Sequence, residues 1–343
     1  MKALVLSAYK QLELADMPVP QPAEDELLVR IKACGICGSD VHGYDGSTGR
    51  RLPPIVMGHE AAGVVESVGS AVSDFRPGDR VTFDSTVSCG QCFYCRRGQI
   101  NLCDNREVVG VSTPTFKRMG AFAEYVTVPA RICYPLPASM PYAHAALIEA
   151  VSVAVHAVSL TPLTPSDTAV VVGAGMIGLL TMQAVRHAGA ARVFVLDVDE
   201  TRLELARSMG ATQTFNARSE DVIRRIQEQC EGRGADVALE CVGTTAAIKL
   251  AVEGVRKGGA VTLVGNVAPT IELGLQSVVS RQIRLQGSCA SSGEYPECIE
   301  LMASGAIRVE PLISAVAPLA DGVSWFERLY AREPGLLKVV LEP

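Results

Sequence analysis

The sequence predicts a two-part α/β chain, an irregular all-β first part followed by a doubly wound parallel sheet. Three observations carry this. The chain has 343 residues, beyond the about 250 to 300 at which single cores stop growing. Residues 1 to about 150 hold short β-rich runs broken by Pro and Gly, whereas from about 165 to 290 strand-like and helix-like runs alternate. Between them stands TAVVVGAGMIGLLTMQAVRHAGAARVFVLD, from Thr168 to Asp197, which reads as strand, glycine turn, helix and second strand.

In the first part, strands are expected at residues 3–6, 26–32, 62–68, 80–83 and 123–128, each a β-branched or apolar run bounded by turn residues. In the second, strands at 193–197, 213–215, 236–241, 260–264 and 283–287 join the run at Val170 to Val172 to make six. Helical patterns at 200–209, 220–229 and 245–254 intervene. A helix at 294–304 and a strand at 337–341 form a tail that can return to the first part.

The net charge of −6 and pI near 5.5 provide no basic field, so neither nucleic acid nor an anionic membrane surface is expected as a partner. The start, MKALVLSAYKQLEL, has only a four-residue apolar run and no small-residue cleavage site, which points to the cytoplasm. The stretches 143–160 and 168–185 are apolar. The first holds Glu149 and His156, and the second carries glycine and polar interruptions, so neither reads as a membrane span. Eleven cysteines, an odd number clustered in one region, fit metal binding in a reducing compartment better than disulfides.

Gly173, Gly175 and Gly178 fall where a dinucleotide turn needs a tight bend, a close approach to pyrophosphate and close helix–strand packing. Asp197, closing the unit, can accept hydrogen bonds from the adenosine ribose and repels a 2′-phosphate. Valine, not arginine, follows at 198, so NAD is favoured over NADP. Cys89, Cys92, Cys95 and Cys103 form C-x2-C-x2-C-x7-C. Four thiolates at that spacing favour a closed, structural zinc site over an iron–sulfur cluster, whose ferredoxin spacings differ.

A second constellation lies in ACGICGSDVHGYDG and MGHEAAG, with Glu149 much later in ALIEAVSVAVHAV. Taken singly, these residues are ordinary: a lone His beside a Glu is more often a hydrogen-bonded pair, and Cys34 with Cys37 could be a redox CxxC. Together, CGICGSD, GHE, the four-cysteine lobe, GAGMIG and Asp197 occur in the order and spacing of the zinc-containing medium-chain alcohol dehydrogenases. The chain most resembles their polyol (sorbitol) dehydrogenase branch, over nearly its whole length.

The resemblance implies a GroES-like β-barrel catalytic domain of residues 1–152 and 292–343, and a Rossmann NAD-binding domain of residues 153–291. It places one catalytic zinc in the cleft between them and one structural zinc in the cysteine lobe. Cys37 and His59 would be ligands of the catalytic zinc, with Glu60 and Glu149 as acidic members of the site, either of which could bind the metal directly. Three protein ligands leave a position open for water or an alcohol oxygen and acidify what binds there. Ser39 would take the hydroxyl proton and pass it through the nicotinamide ribose to His42. Around NAD the resemblance assigns Ile177, Arg202, Val264, Gly265, Asn266, Ser288, Cys289 and Ala290. The implied reaction takes a hydride from a secondary hydroxyl of a polyol or sugar-derived alcohol, in a homotetramer or homodimer.

Two positions depart from sorbitol dehydrogenases. Ala290 stands where they carry a polyol-contacting arginine, and Gly43 where they carry an aromatic, for which Tyr44 could substitute. LIEA in place of the usual LIEP changes only how a helix begins. Threonine or 2,3-butanediol dehydrogenase is the neighbouring reading. A redox-inactive nucleotide-binding protein is the alternative from another class, and it predicts loss of the open zinc site.

Overall fold

The computed structural model describes residues 1–343, in two compact units: Met1–Glu149 with Tyr295–Pro343, and Ala150–Glu294. The first unit opens with β1 (Lys2–Ala8), β2 (Gln11–Asp16), β3 (Glu26–Gly35) and α1 (Gly38–Gly43). It continues with β4 (Ile55–Val56), β5 (Glu60–Val68), β6 (Arg80–Phe83), β7 (Tyr125–Pro129) and β8 (Cys133–Pro135). Helix α2 (Ile148–Ser159) follows. The second unit contains β9 (Thr168–Val172), α3 (Met176–His187), β10 (Arg192–Asp197), α4 (Glu200–Ser208), β11 (Gln213–Asn216) and α5 (Val222–Gln229). It ends with β12 (Ala235–Glu240), α6 (Thr245–Gly254), β13 (Val255–Leu263) and β14 (Arg284–Gly287). The chain then adds α7 (Tyr295–Ala303), β15 (Ile313–Pro318), α8 (Gly322–Tyr330) and β16 (Lys338–Glu342) to the first unit.

Seven strands form the main sheet of the first unit, in the order β8-β6-β5-β3-β16-β15, with β7 also paired to β3; β2-β1-β4 form a smaller sheet. The last strand therefore lies beside the third, across some 300 residues of chain, and Val340 pairs with Gly35. Leu4, Leu27, Ile31, Phe83 and Phe122 fill the core with less than 2% exposure. Phe326 of α8 is fully buried, edge-on to Phe122 at 5.5 Å.

All five runs expected to be strands in this part lie within or overlap strands. The sequence reading omitted β2, because its turn at Tyr9–Lys10 lacks Gly or Asn and Lys10 itself takes a positive φ of 62°. It also omitted α8 and β15. The apolar stretch Tyr142–Ser159 is 67% buried inside the fold, as a core helix is.

The second unit is a six-stranded sheet in the order β11-β10-β9-β12-β13-β14, parallel throughout. Strand order reverses at β9, which has β10 on one side and β12 on the other, so a crevice opens at the carboxyl ends of these strands. β9 is buried along its whole length, as a central parallel strand covered on both faces must be. β13 begins at Val255, five residues before the expected strand, through a register irregularity that follows its pairing at Ala235.

Phe326→Ala should destabilise the protein by about 3 to 5 kcal/mol, the cost of emptying a core aromatic site. Urea unfolding followed by fluorescence of the single tryptophan, Trp325 beside it, measures this.

Candidate active site

Strand β5 starts at Glu60, and β3 ends opposite it at Gly35. Cys37 follows on the turn into α1, its sulfur accepting the Ser39 N–H as the helix N-cap. His59 is the residue before β5. This local geometry brings one donor atom each of Cys37, His59 and Glu60 within 4.8 Å of one another. Ser39 Oγ lies 3.5 Å from His59 Nε2. The register makes the arrangement possible: a Cβ on Gly35 would sit 2.4 Å from Glu60 Oε2.

Two charged groups support these donors. Lys338, 3% exposed at the start of β16, donates to Ile36 O at 3.0 Å and to both Glu60 oxygens at 2.8 and 2.5 Å. Burial disfavours the ammonium, but the Glu60 charge outweighs it and holds the lysine above its ordinary value. Asp40, fully buried, has its Oδ1 at 3.5 Å from His59 Nδ1 and at 2.8 Å from Arg51 Nη2. Burial opposes a charged Asp40, but His59 and Arg51 together hold it well below the usual carboxylate range. For His59 too burial works against the charge, and Asp40 and Cys37 more than reverse it. Asp40 stood inside the CGSD motif; Lys338 lies at the far end of the chain, and Arg51, in the loop after α1, reads as an ordinary charge.

Glu149, in the first turn of α2, lies outside the 4.8 Å set. Its charge nonetheless interacts with those of His59 and Glu60, and burial pushes its carboxyl up to about 7. His42 is exposed at the end of α1. Tyr44 does not replace an aromatic at position 43. Its ring is 6% exposed, packs on Phe326 and Tyr330, and its hydroxyl donates to Lys10 O at 2.9 Å. The space beside Gly43 belongs to Arg51, whose Cγ a Cβ there would meet at 2.3 Å. Cys34 is no redox partner for Cys37: it is fully buried, and burial raises its thiol well above the ordinary value.

The sulfurs of Cys89, Cys92, Cys95 and Cys103 also lie within 4.8 Å of one another. Backbone N–H groups of Cys89 and Asn105 point at Cys103 Sγ at 3.3 and 3.4 Å. The N–H of Gln91 leads the interactions that pull Cys89 down to about 6, whereas burial pushes Cys103 up to about 12. Four sulfurs with N–H donors behind them suit a tetrahedral zinc, whose charge favours all four thiolates.

In the second unit the residues assigned to the cofactor cluster at the carboxyl ends of neighbouring strands. Gly173 follows β9 at φ 97°, Gly175 caps α3, and Ile177 is in the first turn of α3. A Cβ on Gly178 would fall 1.7 Å from Gly173 O, so only glycine keeps this turn. Asp197 ends β10, 8% exposed, and accepts the N–H of Ala174 at 2.6 Å and of Asp199 at 3.0 Å. It is thereby tied to the glycine turn with lone pairs to spare. Arg202 is 41% exposed with Asp199 3.8 Å away. Val264, Gly265 and Asn266 follow β13, where Gly265 approaches Gly243 so closely that a Cβ would meet its nitrogen at 2.2 Å. Ser288, Cys289 and Ala290 follow β14; Ser288 N–H donates to Leu263 O, and Ala290 takes a φ of 51°. Glu240, unread from the sequence, is fully buried at the end of β12 and accepts the N–H groups of Val242 and Gly243.

Residues 23–138 match the alcohol dehydrogenase GroES-like domain, and residues 177–304 the zinc-binding dehydrogenase domain. Sorbitol dehydrogenase of Bacillus subtilis (strain 168) is 36% identical over 347 residues, covering 100% of this chain and 97% of the relative. L-idonate 5-dehydrogenase of Vitis vinifera is 35% identical over 317 residues, covering 90% of this chain and 85% of the relative. A protein of Sinorhizobium meliloti 1021 solved with NADP bound superposes with a TM-score of 0.92 at 33% identity, covering 100% of this chain and 99% of that one.

In chelator-treated protein Lys338→Met leaves the Glu60 carboxylate buried without its cation, so unfolding free energy should fall by about 3 to 5 kcal/mol, measurable by urea denaturation at neutral pH. The folded chain holds the Glu149 proton more tightly than the unfolded chain. In chelator-treated protein that stabilisation is complete below the ordinary value of 4.5 and lost as pH rises to about 7 and beyond. Glu149→Gln should therefore match wild type in Tm at pH 5 and exceed it at pH 8.

Proposed function

Because the chain belongs to the zinc-containing medium-chain alcohol dehydrogenases, in their polyol dehydrogenase-like branch, we propose that it uses NAD to oxidise a secondary hydroxyl of a polyol or sugar-derived alcohol. That it is an alcohol/polyol dehydrogenase with zinc and a nicotinamide cofactor follows from the family. The single observation that carries the site assignment is the convergence of Cys37, His59 and Glu60 within 4.8 Å, with Ser39 Oγ beside them.

In this reading Cys37, His59 and Glu60 hold the catalytic zinc, Glu149 is the second carboxylate of the site, and the four-cysteine lobe holds a structural zinc. Bound zinc supplies a cation that acidifies a hydroxyl held against it, and the nicotinamide supplies the hydride acceptor. The protein's own work is with the proton and the charges. Ser39 Oγ would accept the substrate hydroxyl proton and pass its own along the relay to the exposed His42 ring, which would release it to solvent. Lys338 pairs with both oxygens of Glu60 and so holds that carboxylate in place in a dry interior. Asp197 accepts from the adenosine ribose and repels a 2′-phosphate, which supports NAD even though the Sinorhizobium meliloti relative was solved with NADP.

Sorbitol and L-idonate, named for the two relatives, set the substrate class: a carbon chain bearing several hydroxyls, with or without a carboxylate. Ala290 in place of an arginine removes one cation from the assigned pocket and favours recognition by hydroxyl contacts. The intact donor set argues against a redox-inactive nucleotide binder.

Two further readings belong here. Eleven free cysteines support a reducing cytoplasm. The open edge of β14, with Leu275 and Val279 exposed at 67% and 68% nearby, supports a homo-oligomer.

Elemental analysis should return two zinc ions per chain. With a panel of polyols, sugar acids, threonine, butanediol and simple secondary alcohols, absorbance of the reduced cofactor should rise most with a polyol or sugar acid. NAD should exceed NADP at least tenfold in kcat/KM, with Asp197→Ser narrowing the ratio. A preference for threonine, or for NADP, would overturn the corresponding part. Ser39→Ala should slow the single-turnover step by about 10² or more.

A further inference from the structure

Arg51 is 4% exposed, and nothing above gives it a part in the reaction. Its Nε and Nη2 both donate to Asp40 Oδ1, at 3.2 and 2.8 Å. Its Nη1 donates to Arg50 O at 3.0 Å, which fixes the plane of the fork. Nη2 also reaches Ser39 Oγ at 3.4 Å. One rigid guanidinium thus spans the carboxylate beside the His59 ring and the hydroxyl assigned to proton transfer.

We propose that Arg51 is a positioning residue for the reaction: it holds Asp40 against His59 Nδ1 and turns the Ser39 hydroxyl outward, in room that exists because residue 43 is glycine. This rests on the reading that Cys37, His59 and Glu60 bind the catalytic zinc.

Three physical points support it. The two bonds from Arg51 fix Asp40 Oδ1 at 3.5 Å from His59 Nδ1, while the other ring nitrogen, Nε2, lies 3.5 Å from Ser39 Oγ. Arginine has no acceptor atom. Ser39 can therefore only accept from it, and this leaves the serine hydrogen and a second lone pair for substrate and relay. At Gly43, an added Cβ would lie 2.3 Å from Arg51 Cγ and 3.2 Å from its Cβ. Those atoms are the base of the side chain, not its mobile tip, so a side chain at 43 and this pose of Arg51 exclude each other. The glycine at 43 and the buried arginine at 51 are then one feature.

The test compares wild type, Arg51→Met, Arg51→Lys and Gly43→Ala, each loaded with zinc. Zinc release to a chromophoric chelator is followed alongside kcat, KM and Tm. Arg51→Met and Gly43→Ala should release the more labile zinc about 10 to 100-fold faster, with release from the four-cysteine lobe unchanged. Their kcat should fall at least tenfold while KM for NAD stays within twofold. Arg51→Lys, which keeps the charge but not the fork, should recover Tm without recovering kcat or retention. If either Arg51→Met or Gly43→Ala folds and keeps both the wild-type release rate and kcat within twofold, Arg51 only fills space and the proposal is overturned. If wild type itself yields a single zinc per chain, the underlying site reading fails, and that result is visible before any variant is compared.

Discussion

A carboxylate sits in the dry interior of a β-sheet, and the rest of the first unit is arranged so that an ammonium meets it there. Glu60 begins β5, Lys338 begins β16, and β3 runs between those strands. Desolvating both charges is costly, and the pair alone would be weak grounds for stability. It does have a spatial consequence: anchored on both oxygens by one ammonium, the Glu60 side chain cannot rotate away from Cys37 and His59. Gly35 is the complement, because no larger residue leaves room for Oε2. Here a glycine in a strand marks a close approach by a functional group and not a weakness in the sheet.

The same solution recurs within each unit. Asp40 is ionised in the interior because Arg51 and His59 face it. Glu240, at the end of β12, is satisfied by two backbone N–H groups in place of a cation, and burial raises its carboxyl above the ordinary value. Asp197 ties the end of β10 to the glycine turn through Ala174 N–H. In each case a buried charged or polar side chain has a partner that fixes its direction, as preorganisation requires. The partners differ in kind, cation or backbone amide, according to what the local strand ends present.

Much of this was legible in one dimension. GAGMIG followed by Asp197, and four cysteines at C-x2-C-x2-C-x7-C, are local patterns whose geometry is set by a turn of a few residues, so spacing alone predicts them. Most strands were placed because alternation and β-branched runs are also local. The omissions share a cause. Strand β2 follows a turn whose positive φ falls on Lys10, a residue with no turn preference. Lys338 and Arg51 look like ordinary charges, since a lysine or arginine is normally exposed, and only long-range pairing buries them. Tyr44 was misplaced because an adjacent aromatic seemed able to fill for Gly43; α8, absent from the sequence reading, supplies the Phe326 and Tyr330 rings that hold it in the core.

By itself the amino-acid order determined the dinucleotide turn, the sulfur cluster, the alternation of strands and helices, and the set of residues able to bind metal, because each depends on contacts within about one turn or one strand. Only the tertiary structure decided that Glu60 comes within reach of Cys37 and His59 while Glu149 is not in that set, that Lys338 returns from the far end of the chain to meet a buried carboxylate, and that Gly43 leaves room for Arg51. These are matters of register between strands and of which ions are buried together, quantities set by packing that residue spacing does not encode.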